Sequence, residues 1–363
     1  MKNALRYAKT NTSSFSEKPF SEADALILSW LAYFSMPKLN GKSIKLKNLS
    51  DEKIKPDKIM FAPAYNPKTS KKLFNVLRKN PRYNFIALSD MEEVTTREPL
   101  QFGAVTLKIS RRVYMIAFRG TDPSYEGWHE NFVSSYARPV PSQKHALNYV
   151  KKAFTERKDA KFILAGHSKG GNLSSFVALN LGKNDLERII AVYDFDGQGF
   201  SDSYKGRETY LIAAAKIKKF VPQSSFVGLI LNSDVTLIPV KSRSISLLQH
   251  DPFTWSVDSS GKFLPAKGFT RSSSRLINSF NAWINEMTDE ERKRTVKIIY
   301  DAIFSLSAKD FNVFFRTLPK QILALIRLYK KLERSDKEFF KQKVKRLLKL
   351  FFTVKPAPRQ VTR

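Results

Sequence analysis

The chain has 363 residues, with 63 Lys and Arg against 33 Asp and Glu, a formal net charge of +30, and no cysteine. That length fits one large domain with additions or two domains, and 42% hydrophobic residues supply enough apolar material to exclude wholesale disorder. The missing cysteines exclude disulfides, thiolate metal sites and a cysteine nucleophile, and the positive charge implies attraction to an anionic partner.

Neither an apolar leader in the first twenty residues nor a membrane-length apolar run is visible, so a cytoplasmic protein is expected. Ser21-Glu22-Ala23-Asp24 followed by ALILSWLAYF reads as a capped helix, with Ser21 as cap and Asp24 at the third helical position. Residues 37–100 are mixed, with a helical stretch near Lys71–Lys79. Phe102–Ile109 and Val113–Phe118, separated by Ser110-Arg111-Arg112, predict a β-hairpin. A helix is expected at Lys144–Phe154, a buried strand at Phe162–Ala165, a helix at Leu173–Leu181 and a buried strand at Ile189–Phe195. Lys216–Val221 and Val235–Val240 are further strand candidates, and from about 276 the chain turns helical and basic. Strands alternating with helices at this spacing predict an α/β fold with a mostly parallel sheet. The expected organisation is an N-terminal helical and mixed segment packed on the core (1–100), an α/β core (101–275) and a basic helical C-terminal extension (276–363).

The chemistry concentrates in Lys161-Phe162-Ile163-Leu164-Ala165-Gly166-His167-Ser168-Lys169-Gly170-Gly171. Here G-x-S-x-G stands between an apolar strand and an apolar helix, the context of a nucleophile elbow. Such a turn lifts the Ser168 hydroxyl above the sheet edge and aims the Lys169 backbone N–H at a developing oxyanion. A phosphate loop is excluded because Lys169 precedes the second glycine. The base must come from four histidines: 129, 145, 167 and 250. His167 sits inside the elbow, and in the order Ser, acid, His only His250 follows the nucleophile. A second oxyanion donor is expected where the strand Val113–Phe118 breaks at Gly120. Thr121 there offers a backbone N–H and a hydroxyl, the competing role for Thr121 or Asp122 being a helix cap.

Phe118-Arg119-Gly120-Thr121 and, about fifty residues later, Gly166-His167-Ser168-Lys169-Gly170-Gly171 resemble class 3 lipases of the α/β-hydrolase superfamily. More closely, FSEADALILSWLAY, FRGTDPSYEGWHENF, GHSKGGNL, YDFDGQGF and QHDPFTW resemble the Mbeg1-like bacterial proteins, a lipase-like branch, over about residues 18–260. The resemblance implies an α/β-hydrolase fold, an oxyanion role for Thr121 and a tryptophan-bearing lid helix at Tyr125–Phe132. It also marks a departure: the acid motif of class 3 lipases maps to Val221-Pro222-Gln223-Ser224-Ser225, with Ser225 where the Asp would fall. The candidate acids are therefore Asp196, at the end of a strand, Asp234, and Asp251 beside the base; Asp196 is the best placed, with loop capping the competing role for each.

These residues point to a serine hydrolase acting on lipid or other acyl esters without cofactor or metal. The alternative is a degraded hydrolase fold serving as a basic binding module, with nucleic acid the less favoured partner. Lys169 is expected either to face the substrate cleft and favour anionic esters or to lie toward solvent. In residues 337–363, nine basic residues stand against one acidic. Phe340, Val344, Leu347, Leu348 and Phe351 form a helical stripe there, read as a face for an anionic membrane or for the hydrolase core.

Overall fold

A computed structural model describes residues 2–35, 42–49, 55–56, 67–96, 100–122, 125–306 and 318–354. Eight strands form one sheet: β1 (Ile44–Lys45), β2 (Ala87–Thr96), β3 (Leu100–Lys108), β4 (Val113–Phe118), β5 (Lys161–His167), β6 (Ile189–Phe195), β7 (Ile217–Pro222) and β8 (Leu237–Val240). They lie in the order β8-β7-β6-β5-β4-β3-β2-β1. From β4 to β8 neighbours run parallel, whereas β1 to β4 pair antiparallel. A mostly parallel sheet carrying a strand–serine–helix turn at its centre is the α/β-hydrolase fold, as expected.

The helices are α1 (Ala4–Thr10), α2 (Glu22–Ser29), α3 (Pro67–Lys79), α4 (Tyr125–Val133), α5 (Pro141–Glu156), α6 (Lys169–Asn180), α7 (Lys183–Glu187), α8 (Tyr210–Lys216), α9 (Arg271–Asn285), α10 (Asp289–Phe304), α11 (Leu318–Lys331) and α12 (Arg334–Thr353). The period-two alternation of the strands builds two cores. Met115, Ala117, Ile163, Ala165, Tyr193 and Phe195 face one side, where α1, α2 and the 3₁₀ turn after α2 pack on them. Ile116, Phe118, Phe162, Leu164 and Val192 face the other, beneath α5, α6 and α8.

The N-terminal segment is held by a buried charge pair. Ser21 and Asp24 form a reciprocal capping box at the start of α2. Asp24 also takes the Arg82 guanidinium at 2.6 Å and the Tyr83 hydroxyl at 2.7 Å, all with negligible exposure. One long strand escapes the sequence pattern. β2 carries Ser89-Asp90-Met91-Glu92-Glu93 at its middle, and its register shifts between Ser89 and Glu92, so the alternation that marks a strand is broken there. Elsewhere the strand and helix limits differ from the pattern by a few residues, as at α6, which begins at Lys169 rather than Leu173.

The C-terminal helices pack in two groups. α10 and α11 meet α4 through Trp128, Phe132, Tyr300, Ile303, Leu306, Leu325 and Leu328. α12 lies on α9 through Leu347, Leu350 and Val354 against Phe280, Trp283 and Ile284. The predicted stripe of α12 thus splits. Leu347 faces α9, while Val344, Leu348 and Phe351 are 37%, 56% and 38% exposed.

Candidate active site

β5 ends at His167 and α6 begins at Lys169, leaving Ser168 alone in the turn with φ 58° and ψ −129°. A positive φ is strained for a serine, and such strain at a junction marks a functional turn. Glycine on both sides is a steric necessity. A Cβ on Gly166 would stand 2.3 Å from the Gly170 carbonyl carbon, and one on Gly170 would stand 2.2 Å from the Phe118 carbonyl oxygen. The turn is fixed from the neighbouring strand by the Ser168 N–H, which donates to the Phe195 carbonyl at 2.9 Å. The loop after β4 lies directly against it, since a Cβ on Gly120 would come within 3.2 Å of Ser168 Cβ. Thr121 and the backbone of Lys169 are therefore gathered around the same serine, Thr121 only 2% exposed.

His250 reaches this turn from a 3₁₀ turn, Ser246–His250. His167 Nε2 donates to the His250 carbonyl at 2.8 Å, and the two rings lie 4.5 Å apart. Burial, with the nearby His250 charge, holds the His167 imidazole well below its usual pKa, so it is neutral. Its Nδ1 then faces the Tyr33 hydroxyl at 3.2 Å. His167 thus works beside the serine as a backbone support for His250.

The structure brings one of the three candidate acids to His250. Asp196 Oδ2 lies 2.7 Å from His250 Nδ1, and both residues are buried. Asp196 follows the last residue of β6 and has φ 57°, which turns its side chain out of the strand pattern. Its other oxygen accepts from the Ser225 hydroxyl at 2.6 Å and the Gly228 N–H at 3.1 Å. Burial raises the Asp196 carboxyl above its usual pKa, while the bonds from His250 and Ser225 and the charge of Lys219 pull it back down. Ser225, the residue standing in place of the lipase Asp, therefore holds the carboxylate supplied by Asp196.

The other two carboxylates are engaged elsewhere. Asp234 accepts from the Ser203 hydroxyl at 2.9 Å and from the Tyr204 N–H, tying a surface loop. Asp251 caps a 3₁₀ turn by accepting the Phe253 N–H at 2.9 Å. Asp194, two residues before Asp196, pairs with Lys219 at 3.4 Å and accepts from Ser175 and the Gly197 N–H.

Lys169 corrects both expectations for its side chain. It faces neither cleft nor solvent; it is 2% exposed and turns toward β3 and α4. Its Nζ donates to the Gln101 carbonyl at 2.6 Å and to Glu130 Oε2 at 3.0 Å. Glu130 lies on α4, where the lid helix was expected. The next residue, Asn131, donates to Thr121 Oγ1 at 2.7 Å. Pattern reasoning missed both, although they stand in the quoted segment Tyr125–Phe132; a short polar pair on a helix carries no signal of where it points. The remaining histidines serve packing: His129 stacks on Tyr300 at 3.9 Å, and His145 meets Glu92. Among the described residues no group of three or more His, Asp or Glu is gathered as a metal site would require.

The sequence signature of the Mbeg1-like family matches residues 77–301. Among solved structures, M37 lipase is similar at 18% identity over 59% of this chain and 70% of that one, with a TM-score of 0.38. A mutant of MDLA from Penicillium cyclopium is similar at 13% identity, covering 50% of this chain and 70% of its own, TM-score 0.33. The Rhizomucor miehei lipase propeptide complex is similar at 16% identity, covering 46% and 66%, TM-score 0.30. Among curated proteins no relative matches.

Proposed function

The chain belongs to the Mbeg1-like family, and from its site geometry we propose that it is a serine hydrolase that cleaves carboxylic esters, with lipid or other acyl esters as substrates. The observation that carries this is the buried 2.7 Å contact between His250 Nδ1 and Asp196, beside a serine in a strained, glycine-flanked turn. With Nδ1–H committed to the carboxylate, Nε2 is the His250 nitrogen that takes the Ser168 proton in this reading. Ser168 Oγ attacks the ester carbonyl carbon. The oxygen of the tetrahedral adduct takes N–H donors from Lys169 and Thr121. His250 then gives its proton to the departing alcohol, and water, deprotonated by the same imidazole, releases the acid and frees the serine. Asp196 keeps the tautomer and favours the imidazolium.

A degraded fold used only for binding has two motives, Ser225 in place of an acid and the net charge of +30. The contact of Asp196 with both Ser225 and His250 answers the first. A fluorophosphonate probe tests the proposal. Labelling of the wild-type chain, with loss in Ser168→Ala and strong loss in His250→Ala, is expected. An unlabelled, thermally folded wild-type protein would refute it.

A further inference from the structure

The last helix presents two different faces. Its inner face docks on α9 through Leu347, Leu350 and Val354. It is sealed by Trp283 Nε1 donating to the Lys343 carbonyl at 2.8 Å and by the Arg346–Glu286 fork at 2.6 and 2.7 Å. That contact accounts for the helix as a structural element and leaves the outer face unexplained. Outward stand Val344, Leu348, Phe351 and Phe352, the last 82% exposed. Lys341, Lys345 and Lys349, each one turn from the next, run along the same exposed side, and none has an ion-pair partner among the described residues. By contrast, Lys343 and Arg346, nearer the docked face, are paired to Glu291 and Glu286.

The outer face continues toward the active site. α9 and α12 run antiparallel, with Ser279 bonded to the Leu350 carbonyl and Trp283 to that of Lys343, so the exposed Leu276 of α9 falls beside the end of α12. The cap of α9, Thr270, bonds Gln223 and Ser224, and the Ser224 N–H donates to Gln249. Gln249 belongs to the loop that presents Ile245 and Leu247, 74% and 61% exposed, just ahead of His250. Exposed cations border this run at Lys241, Arg243, Arg271 and Arg275.

We propose that the outer face of α12, continued through Leu276 and the Ile245–Leu248 loop, docks on an anionic lipid bilayer. Adjacent aromatic and aliphatic side chains bordered by unpaired lysines match an acyl interior beneath a phosphate surface. A second copy of the chain is disfavoured as occupant because it would bring the same cations face to face on molecules of net charge +30. No helix among the described residues is long and apolar enough to cross a membrane, so α12 lies in the interface. The docking stands without the catalytic proposal; only its consequence, an ester surface brought to the loop that carries His250, rests on that reading.

The test is sedimentation of the full-length protein with vesicles of phosphatidylcholine alone or mixed with phosphatidylglycerol. The wild type should partition onto the mixed vesicles and not onto the neutral ones. Each lysine near an anionic surface is worth roughly a fivefold gain in partitioning, so Lys341→Gln/Lys345→Gln/Lys349→Gln should weaken binding about a hundredfold. Leu348→Ser/Phe352→Ser should also release the protein, and most completely at high salt. A charge-matched control, Lys151→Gln/Lys152→Gln on α5 with Lys158→Gln in the turn just after it, should bind as the wild type does. All the substituted side chains are exposed, so melting temperature and turnover of a soluble short-chain ester should be unchanged. Equal binding by the α12 and α5 variants, equal binding to neutral vesicles, or binding of polynucleotide instead of vesicles would each overturn the proposal.

Discussion

Removing Glu130 should cost more stability than its place in a short surface-side helix suggests. Its carboxylate has no exposure, and the Lys169 side chain it faces has 3%. Oε1 accepts the Ser142 N–H at 2.8 Å, so one side chain joins α4, the start of α5 and α6, the helix that follows Ser168. Glu130→Ala leaves a buried ammonium with only the Gln101 carbonyl, and leaving one member of a buried pair uncompensated costs about 3–5 kcal/mol. Against a total stability of about 5–15 kcal/mol that is a large fraction. The variant should unfold at markedly lower urea with an unchanged m-value. Glu130→Leu combined with Lys169→Met removes both charges and should recover most of the loss, because a buried pair replaced by apolar residues is often neutral or better. It also keeps the Lys169 backbone N–H, so probe labelling of Ser168 should return with stability. A single-variant cost below about 1 kcal/mol, or a double variant as unstable as the two single losses added, would show that the pair does not hold these helices together.

Two further outcomes concern the carboxylates Asp196 and Asp251. Asp196→Asn should slow fluorophosphonate labelling by about 10⁴-fold by wrong tautomer alone, whereas Ser225→Ala removes one bond to a charged acceptor and should slow it between about 10- and 100-fold; equal losses in the two variants would mean Ser225 does more than hold Asp196. Burial pushes the Asp251 carboxyl up to about 7. The folded state therefore keeps a proton that the unfolded state releases near pH 4, so stability falls as pH rises from about 4 to 7. Asp251→Asn, which preserves a cap for Phe253, should flatten that fall in melting temperature, and parallel curves for the two proteins would refute the assignment.

What the sequence made legible follows from how local each constraint is. The elbow was readable because its glycines answer contacts within a few residues and one neighbouring strand: Gly166 against Gly170, and Gly170 against Phe118. The strands β4 to β7 were readable because both faces are buried and their apolar runs are continuous. Lys169 was misplaced because a lysine after the elbow serine reads as facing the cleft or solvent until the partner is known, and Glu130 lies 39 residues away on another element. The same holds for the acid. Composition and spacing left Asp196, Asp234 and Asp251 open, and only the fold brings the turn after β6, the Ser225 hydroxyl from the β7 end and His250 from a later loop to one point. His167 makes the case most sharply. Its place inside the elbow takes it out of the search for a base, but its own task is legible only in the fold: burial keeps it neutral and its ring holds the backbone of the histidine 83 residues later. Residue type and order rank His250 as the base, but what His167 does instead is decided by packing from α2 and the turn after it, where Trp30 and Tyr33 lie against the His167 ring.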